Sequence, residues 1–163
     1  MQMLDKAPRK MAKRLLCLLL LVAGKHSARA NLLPKGTASA SSIQLPRYDP
    51  SKAIDGKYAY DYCTSGCMFH SSKEFAPWFM VVLDEEILVK TIFFLERASN
   101  TYRRSQGARF LVGTETDPAR LRDNAECPDG VRVITDRADS GYFNCGRWGN
   151  VLVMDLGDKT EVL

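Results

Sequence analysis

Five cysteines and two histidines are the side chains of this 163-residue sequence best suited to nucleophilic or metal chemistry. Beyond residue 30 they reduce to one imidazole, His70, and four thiols, Cys63, Cys67, Cys127 and Cys145. A serine or cysteine nucleophile would have to use that one imidazole as its base, and no third group that would orient the ring stands out. The sequence holds no Gly-x-Ser-x-Gly elbow, phosphate loop or His-Glu-x-x-His. Cys63, Cys67 and His70 offer only three zinc ligands, at a spacing unlike the usual fingers, whereas a structural zinc site closes with four. An enzyme is therefore not expected, and binding is the better-supported role.

The first thirty residues read as a segment to be removed. Lys13 and Arg14 precede an unbroken apolar run over residues 15–23, and small and polar residues follow as far as Ala28-Arg29-Ala30. A basic stretch, a short apolar run and a small-x-small end make up a secretory signal peptide. The run is too short to span a bilayer, which takes about 20 apolar residues. Met11 offers a second start. We expect cleavage after Ala30, a secreted, extracellular product that does not span the membrane, and one mature domain over residues 31–163; an uncleaved anchor or a buried helix is the alternative.

Export changes the meaning of both charge and sulfur. The formal net charge is +4, but residues 1–30 hold Lys6, Arg9, Lys10, Lys13, Arg14, Lys25 and Arg29 against Asp5 alone, so the remainder is close to neutral. Nothing there supplies the phosphate attraction that nucleic-acid binding needs. In an oxidising compartment the four remaining cysteines imply disulfides, with three connectivities open. Cys127 and Cys145 enclose a moderate loop flanked by strand-like sequence and form the preferred pair, worth about 3 kcal/mol on the chain-entropy model. Cys63 and Cys67 can then pair locally, or one of them can bond a cysteine beyond this sequence.

The elements that must position these residues are strands. After residue 30 no stretch sustains apolar residues at helical spacing, whereas short β-branched, aromatic or alternating runs bounded by turn residues recur. The candidates cover residues 78–83, 88–96, 108–112, 131–135, 142–145 and 151–156, which suggests an all-β sandwich or barrel. The nearly continuous run Thr91-Ile92-Phe93-Phe94-Leu95 fits a strand buried on both faces. Residues 49–73, rich in Asp, Ser, Gly and Tyr, form a long connection, and binding residues tend to sit on such connections.

The order of the motifs resembles the F-type lectins, the fucose-binding fucolectin family whose fold is shared with discoidin and coagulation-factor C-type domains. The resemblance runs through Asn31-Leu32-Leu33, Gly36-Thr37-Ala38, Ser41-Ser42 and Ala53-Ile54-Asp55-Gly56 to Pro77-Trp78-Phe79-Met80-Val81-Val82-Leu83-Asp84. It continues over Glu96-Arg97 to Arg104, Gly107-Ala108-Arg109-Phe110-Leu111-Val112-Gly113, Cys127, Cys145-Gly146 and Gly149-Asn150-Val151. Each piece is weak alone, and their shared order is much more specific. It implies a jelly-roll β-sandwich of the galactose-binding-domain kind. Because the family's late Cys-Glu strand has no counterpart before Leu163, the closing C-terminal strand is expected to be missing and one sheet edge exposed.

The resemblance also implies a carbohydrate-binding site for fucose or a related terminal sugar on His70, Arg97 and Arg104, with Arg103 as the register alternative to Arg104. The physics agrees: guanidinium forks and an imidazole suit sugar hydroxyls and a ring oxygen. A shallow site of this kind gives a Kd of about 1 mM per sugar, so several copies, in a homo-oligomer or a tandem array, are needed for useful avidity. Taken singly, a loop histidine is more often a surface or hydrogen-bonded residue, and loop arginines are more often solvated. Tyr58, Tyr60, Tyr62 and Phe69 precede His70 and either pack beneath the loop or wall a pocket for a sugar methyl. Two departures weaken the inheritance. Ser99, Asn100 and Thr101 stand where the family commonly has an Asp and two adjacent cysteines. The family's structural calcium would fall on Asp55, yet Lys52 and Lys57 occupy positions where Asn ligands are expected, and two cations oppose a hard metal ion. The alternative function is an extracellular adhesion or protein-binding module of the same fold that has lost the sugar site.

Overall fold

The computed structural model describes residues 20–23, 35–56, 68–95, 104–130, 141–161 and 163. In chain order the strands are β1 (Leu20–Ala23), β2 (Gly36–Ala40), β3 (Glu74–Phe75), β4 (Trp78–Phe94), β5 (Arg109–Gly113), β6 (Ala125–Glu126), β7 (Gly141–Asp155) and β8 (Thr160–Glu161). Three 3-10 helices, Pro46–Tyr48, Pro50–Ala53 and Pro118–Asp123, lie between them. The expected strands over 78–83 and 88–96 are two halves of β4, and those over 142–145 and 151–156 are two halves of β7. The expected strand at 131–135 lies outside the described residues.

β4 and β7 pair antiparallel along most of their length, with register shifts between Val82 and Ile87 and between Val89 and Thr91. β2 and β1 pair with opposite halves of β4, and β5 with the second half of β7. This paired ribbon cannot be straight. Phe79 and Phe110 both face Met154 in the register, and on a straight strand at about 3.3 Å per residue Phe94 would lie about 50 Å from that row. The Phe94 ring is instead 6.0 Å from the Phe110 ring, and the Phe143 ring is 5.0 Å from it. The ribbon therefore folds back on itself at the exposed triplet Asp84, Glu85 and Glu86. One layer holds β2, the first half of β4, the second half of β7, β5 and β6. The other holds β1, the second half of β4 and the first half of β7. The result is an all-β sandwich with continuous strands at its corner.

The corner also explains a glycine. A Cβ at Gly149 would lie 2.2 Å from the Gly113 carbonyl oxygen, a backbone atom that no side-chain rotation can move aside.

Between the layers lie Phe79, Val81, Leu83, Val89, Ile92, Phe110, Leu152 and Met154. The outer face of the first layer carries Met80, Leu111, Val151 and Val153, covered by Leu121 from the last 3-10 helix. These strands are buried on both faces, which is why their sequences run apolar rather than alternating. The run at 91–95 follows suit: Ile92 joins the core, and Phe93 is buried beside Tyr142, their rings 4.7 Å apart.

After Asp155 the chain leaves the main sheet. Leu156 is buried, and β8 pairs with β3 as a separate two-stranded ribbon. Leu163 packs against the main core. At the departure point the buried Asp155 carboxylate receives Arg109 Nη2, Arg122 Nε at 3.1 Å and the Gly157 backbone N–H at 2.9 Å.

Candidate functional site

The folded ribbon brings three segments to one end of the sandwich. β4 begins there at Trp78, directly after the loop that carries His70. It ends there at Phe94, three residues before Arg97 in sequence. β5 starts there at Arg109, directly after the turn that Arg104 opens. The aromatic contacts fix this convergence, since Phe69 beside His70 sits 5.1 Å from Phe79, and Phe94 sits 6.0 Å from Phe110. Phe69 thus packs against the core, which is one of its two expected roles. Arg97, with Arg103 and the residues from Ser99 to Thr101, lies outside the described residues.

His70 is buried, with 7% of its surface exposed. Its Nδ1 lies 2.7 Å from the Ser71 carbonyl oxygen. A carbonyl can only accept, so Nδ1 carries a proton in this contact. The backbone is fixed as well: Gln44 N–H donates to the His70 carbonyl at 3.0 Å, and His70 N–H donates to the Tyr48 carbonyl at 3.4 Å. The fully buried Tyr48 ring stands 5.8 Å from the imidazole, and the Arg47 guanidinium carbon lies 5.0 Å from the centroid of the Tyr48 ring. Arg104 is half-buried at the head of a turn that closes through Ala108 N–H to the Ser105 carbonyl at 3.0 Å. Gly107 permits that turn with φ +81.

The C-terminal segment ties the histidine loop to the arginine turn. Leu163 N–H donates to Ser71 Oγ at 2.8 Å, and Ser71 N–H donates to the Leu163 carbonyl at 2.8 Å. Lys159 Nζ donates to the Gln106 carbonyl at 2.8 Å. Residues 159 to 163 can span no more than about 14 Å, so one short strand of chain holds both neighbourhoods.

Glu74 is a second anchor that the sequence did not single out. Its Oε1 accepts from Ser41 Oγ at 2.6 Å and Ser42 Oγ at 2.5 Å. Those hydroxyls accept in turn from Trp78 N–H at 3.1 Å and Ser72 N–H at 3.0 Å. The end of β2, the histidine loop and the start of β4 therefore meet on one carboxylate. Glu74→Ala is expected to cost about 1–2 kcal/mol and to raise the proteolytic sensitivity of the loop. Limited proteolysis beside a thermal melt checks this, and an unchanged cleavage rate would remove Glu74 from the positioning role.

Cys127 and Cys145 are bonded, as expected, with Cα atoms 4.4 Å apart. Cys127 follows β6 in the first layer and Cys145 belongs to the second, so the bridge staples the layers. Cys63 and Cys67 lie outside the described residues. Asp55 is exposed on the turn after Pro50–Ala53, where Gly56 takes φ +73. The neighbouring Asp49 is already engaged as a helix cap: its Oδ1 accepts from Ser51 N–H at 2.9 Å, and hydrogen bonding to Ser51 holds its pKa below the ordinary carboxylate range. Among the described residues no three His, Cys, Asp or Glu side chains gather as a metal site. Asp55 with Lys52 beside it is a poor donor set for calcium.

Comparison with known proteins bears on the fold. No family model matches the sequence. The chain is 25% identical over 139 residues to a pentraxin fusion protein from Xenopus laevis, covering 85% of this chain and 32% of that protein. It thus spans about a third of the length of its curated relative. Among solved structures, the F-type lectin (fucolectin) of Morone saxatilis (striped bass) serum is similar with TM-score 0.69 and 25% identity, over 79% of this chain and 42% of that one. A fucose-binding module of Streptococcus pneumoniae matches with TM-score 0.65 and 16% identity, over 86% of this chain and 93% of that one. The chain therefore resembles the F-type lectins in fold as well as in motif order. These neighbours are a lectin and a binding module, not enzymes. No helix among the described residues is long and apolar enough to cross a membrane.

Proposed function

We propose that this chain is a secreted carbohydrate-binding lectin domain that recognises terminal fucose, or a related sugar, on cell-surface or glycoprotein glycans through His70, Arg97 and Arg104. The observation that carries the reading is the convergence of the histidine loop, the strand end before Arg97 and the arginine turn at one end of a fold shared with fucose-binding modules. The guanidinium groups donate to sugar hydroxyls and ring oxygen, and the imidazole, held by Ser71, adds a directed group. One such site is weak, so avidity comes from several copies. Fucose-agarose should retain the protein, and Arg97→Ala or Arg104→Ala should weaken binding at least about tenfold by removing one charged hydrogen-bonding group. Retention with chelator equal to that with calcium would remove the metal from this function. An extracellular adhesion role is the second reading, favoured by the burial of His70 and by Ser99-Asn100-Thr101. It predicts no retention and no fucosylated ligand on a glycan array.

A further inference from the structure

The edge of β4 along Val89–Phe93 carries the inference. Its only strand partner on that side, among the described residues, is β1, with Leu20 opposite Phe93, Leu21 opposite Ile92 and Ala23 opposite Val89. β1 belongs to the apolar run of the expected leader, so cleavage after Ala30 would strip this edge. The first layer has no such dependence, because β2 covers β4 there from beyond the cleavage point.

We propose that Val89–Phe93 is a strand-acceptor slot that binds an extended, apolar peptide segment by backbone pairing: the chain's own residues 20–23 before processing, and a segment of the same chemistry afterwards. The slot is suited to that occupant. Val89 and Ile92 are fully buried on its inner side. On its outer side Phe93 is buried and lies against the exposed Tyr142, which stands on β7 along the other flank of β4. An unpaired row of N–H and C=O groups supplies affinity to any extended chain, and the flanking apolar surface supplies the preference for apolar residues. Lys90 is exposed in the middle of the edge, a charge of the kind that protects an uncovered strand from open-ended pairing. It also argues against a second copy as occupant, since symmetric pairing about this short edge would bring two Lys90 side chains together, and like charges across strands repel.

Hydrogen exchange tests the slot. The full chain, made without export under oxidising conditions, should protect the Val89–Phe93 amides that face β1. In the secreted, processed product those amides should exchange at least about tenfold faster. A synthetic peptide of residues 18–24, flanked by lysines for solubility, should restore protection, and the same peptide with proline at the Leu21 position should not. Equal exchange in the two forms, or a peptide that leaves the rates unchanged, would overturn the proposal, as would a proline peptide that protects equally well. Should the secreted product retain residues 20–23, Leu21→Pro in the full chain should open the same amides, and unchanged protection would again overturn it.

Discussion

Replacing Asp155 with alanine is expected to lower stability by about 3 kcal/mol, the low end of the range for breaking a buried ion pair from one side. For a chain of this length that corresponds to a fall in melting temperature of about 6–12 °C. The Asp155 side chain is only 5% exposed and accepts from two arginines and from Gly157 N–H. Its loss strands the Arg109 and Arg122 guanidinium groups at the point where β5, β7 and the last 3-10 helix meet. The low end applies because those groups are 37% and 47% exposed and regain water, and Arg122 keeps its bond to Asp158 at 2.9 Å. Asp155→Asn, which preserves shape and one acceptor, should lose less. A calorimetric melt within 2 °C of the parent for Asp155→Ala would show that the carboxylate is dispensable, since about 1 kcal/mol already shifts a chain of this size by more.

Removing the Cys127–Cys145 bridge, by the double alanine variant, should cost a similar amount. With the cysteines 18 positions apart in sequence, loop-closure entropy accounts for about 3 kcal/mol. Both cysteines are also buried in the main core, so losing their sulfur atoms leaves a packing defect in addition. Melts of the parent with and without reductant, set beside the double variant, separate these contributions. The reduced parent should melt well below the oxidised form, and the double variant should melt no higher than the reduced parent. A parent insensitive to reductant while its thiols titrate as free would refute the assignment.

The strands of the core were legible because burial on both faces leaves runs such as Phe110-Leu111-Val112 and Val151-Leu152-Val153-Met154 with little else to be. β2 was not, since Gly36-Thr37-Ala38-Ser39-Ala40 holds no large apolar residue. A Cβ at Gly36 would lie 2.5 Å from the Val82 carbonyl oxygen, so small size there serves close strand approach and leaves no periodic signal. The strands expected separately over 78–83 and 88–96 belong to one continuous strand, with the three acids at residues 84–86 at its exposed bend. The preferred disulfide followed from spacing and compartment alone. His70 and the arginines depended on the resemblance, because nothing in a lone loop histidine announces that its backbone is pinned from both sides. Asp155 and Glu74 escaped notice for a related reason: each looks like an ordinary surface acid until its partners, distant in sequence, are known. An acid directly following four buried apolar residues was the one available hint for Asp155.

The bend in β4 and β7 has a consequence for how quickly the molecule can form. Phe94 meets Phe110, and β2 meets the first half of β4, only after segments far apart along the chain have found one another. No hairpin zipping outward from a tight turn can create the core by itself, because each long strand must pair along its length and also double over. Loop-closure entropy is spent before the aromatic contacts between the layers return it. Refolding of the oxidised domain should therefore take milliseconds to seconds. Stopped-flow refolding with the Cys127–Cys145 loop already closed by its disulfide should be faster than with that loop open, because one of the long-range searches is then complete before folding begins.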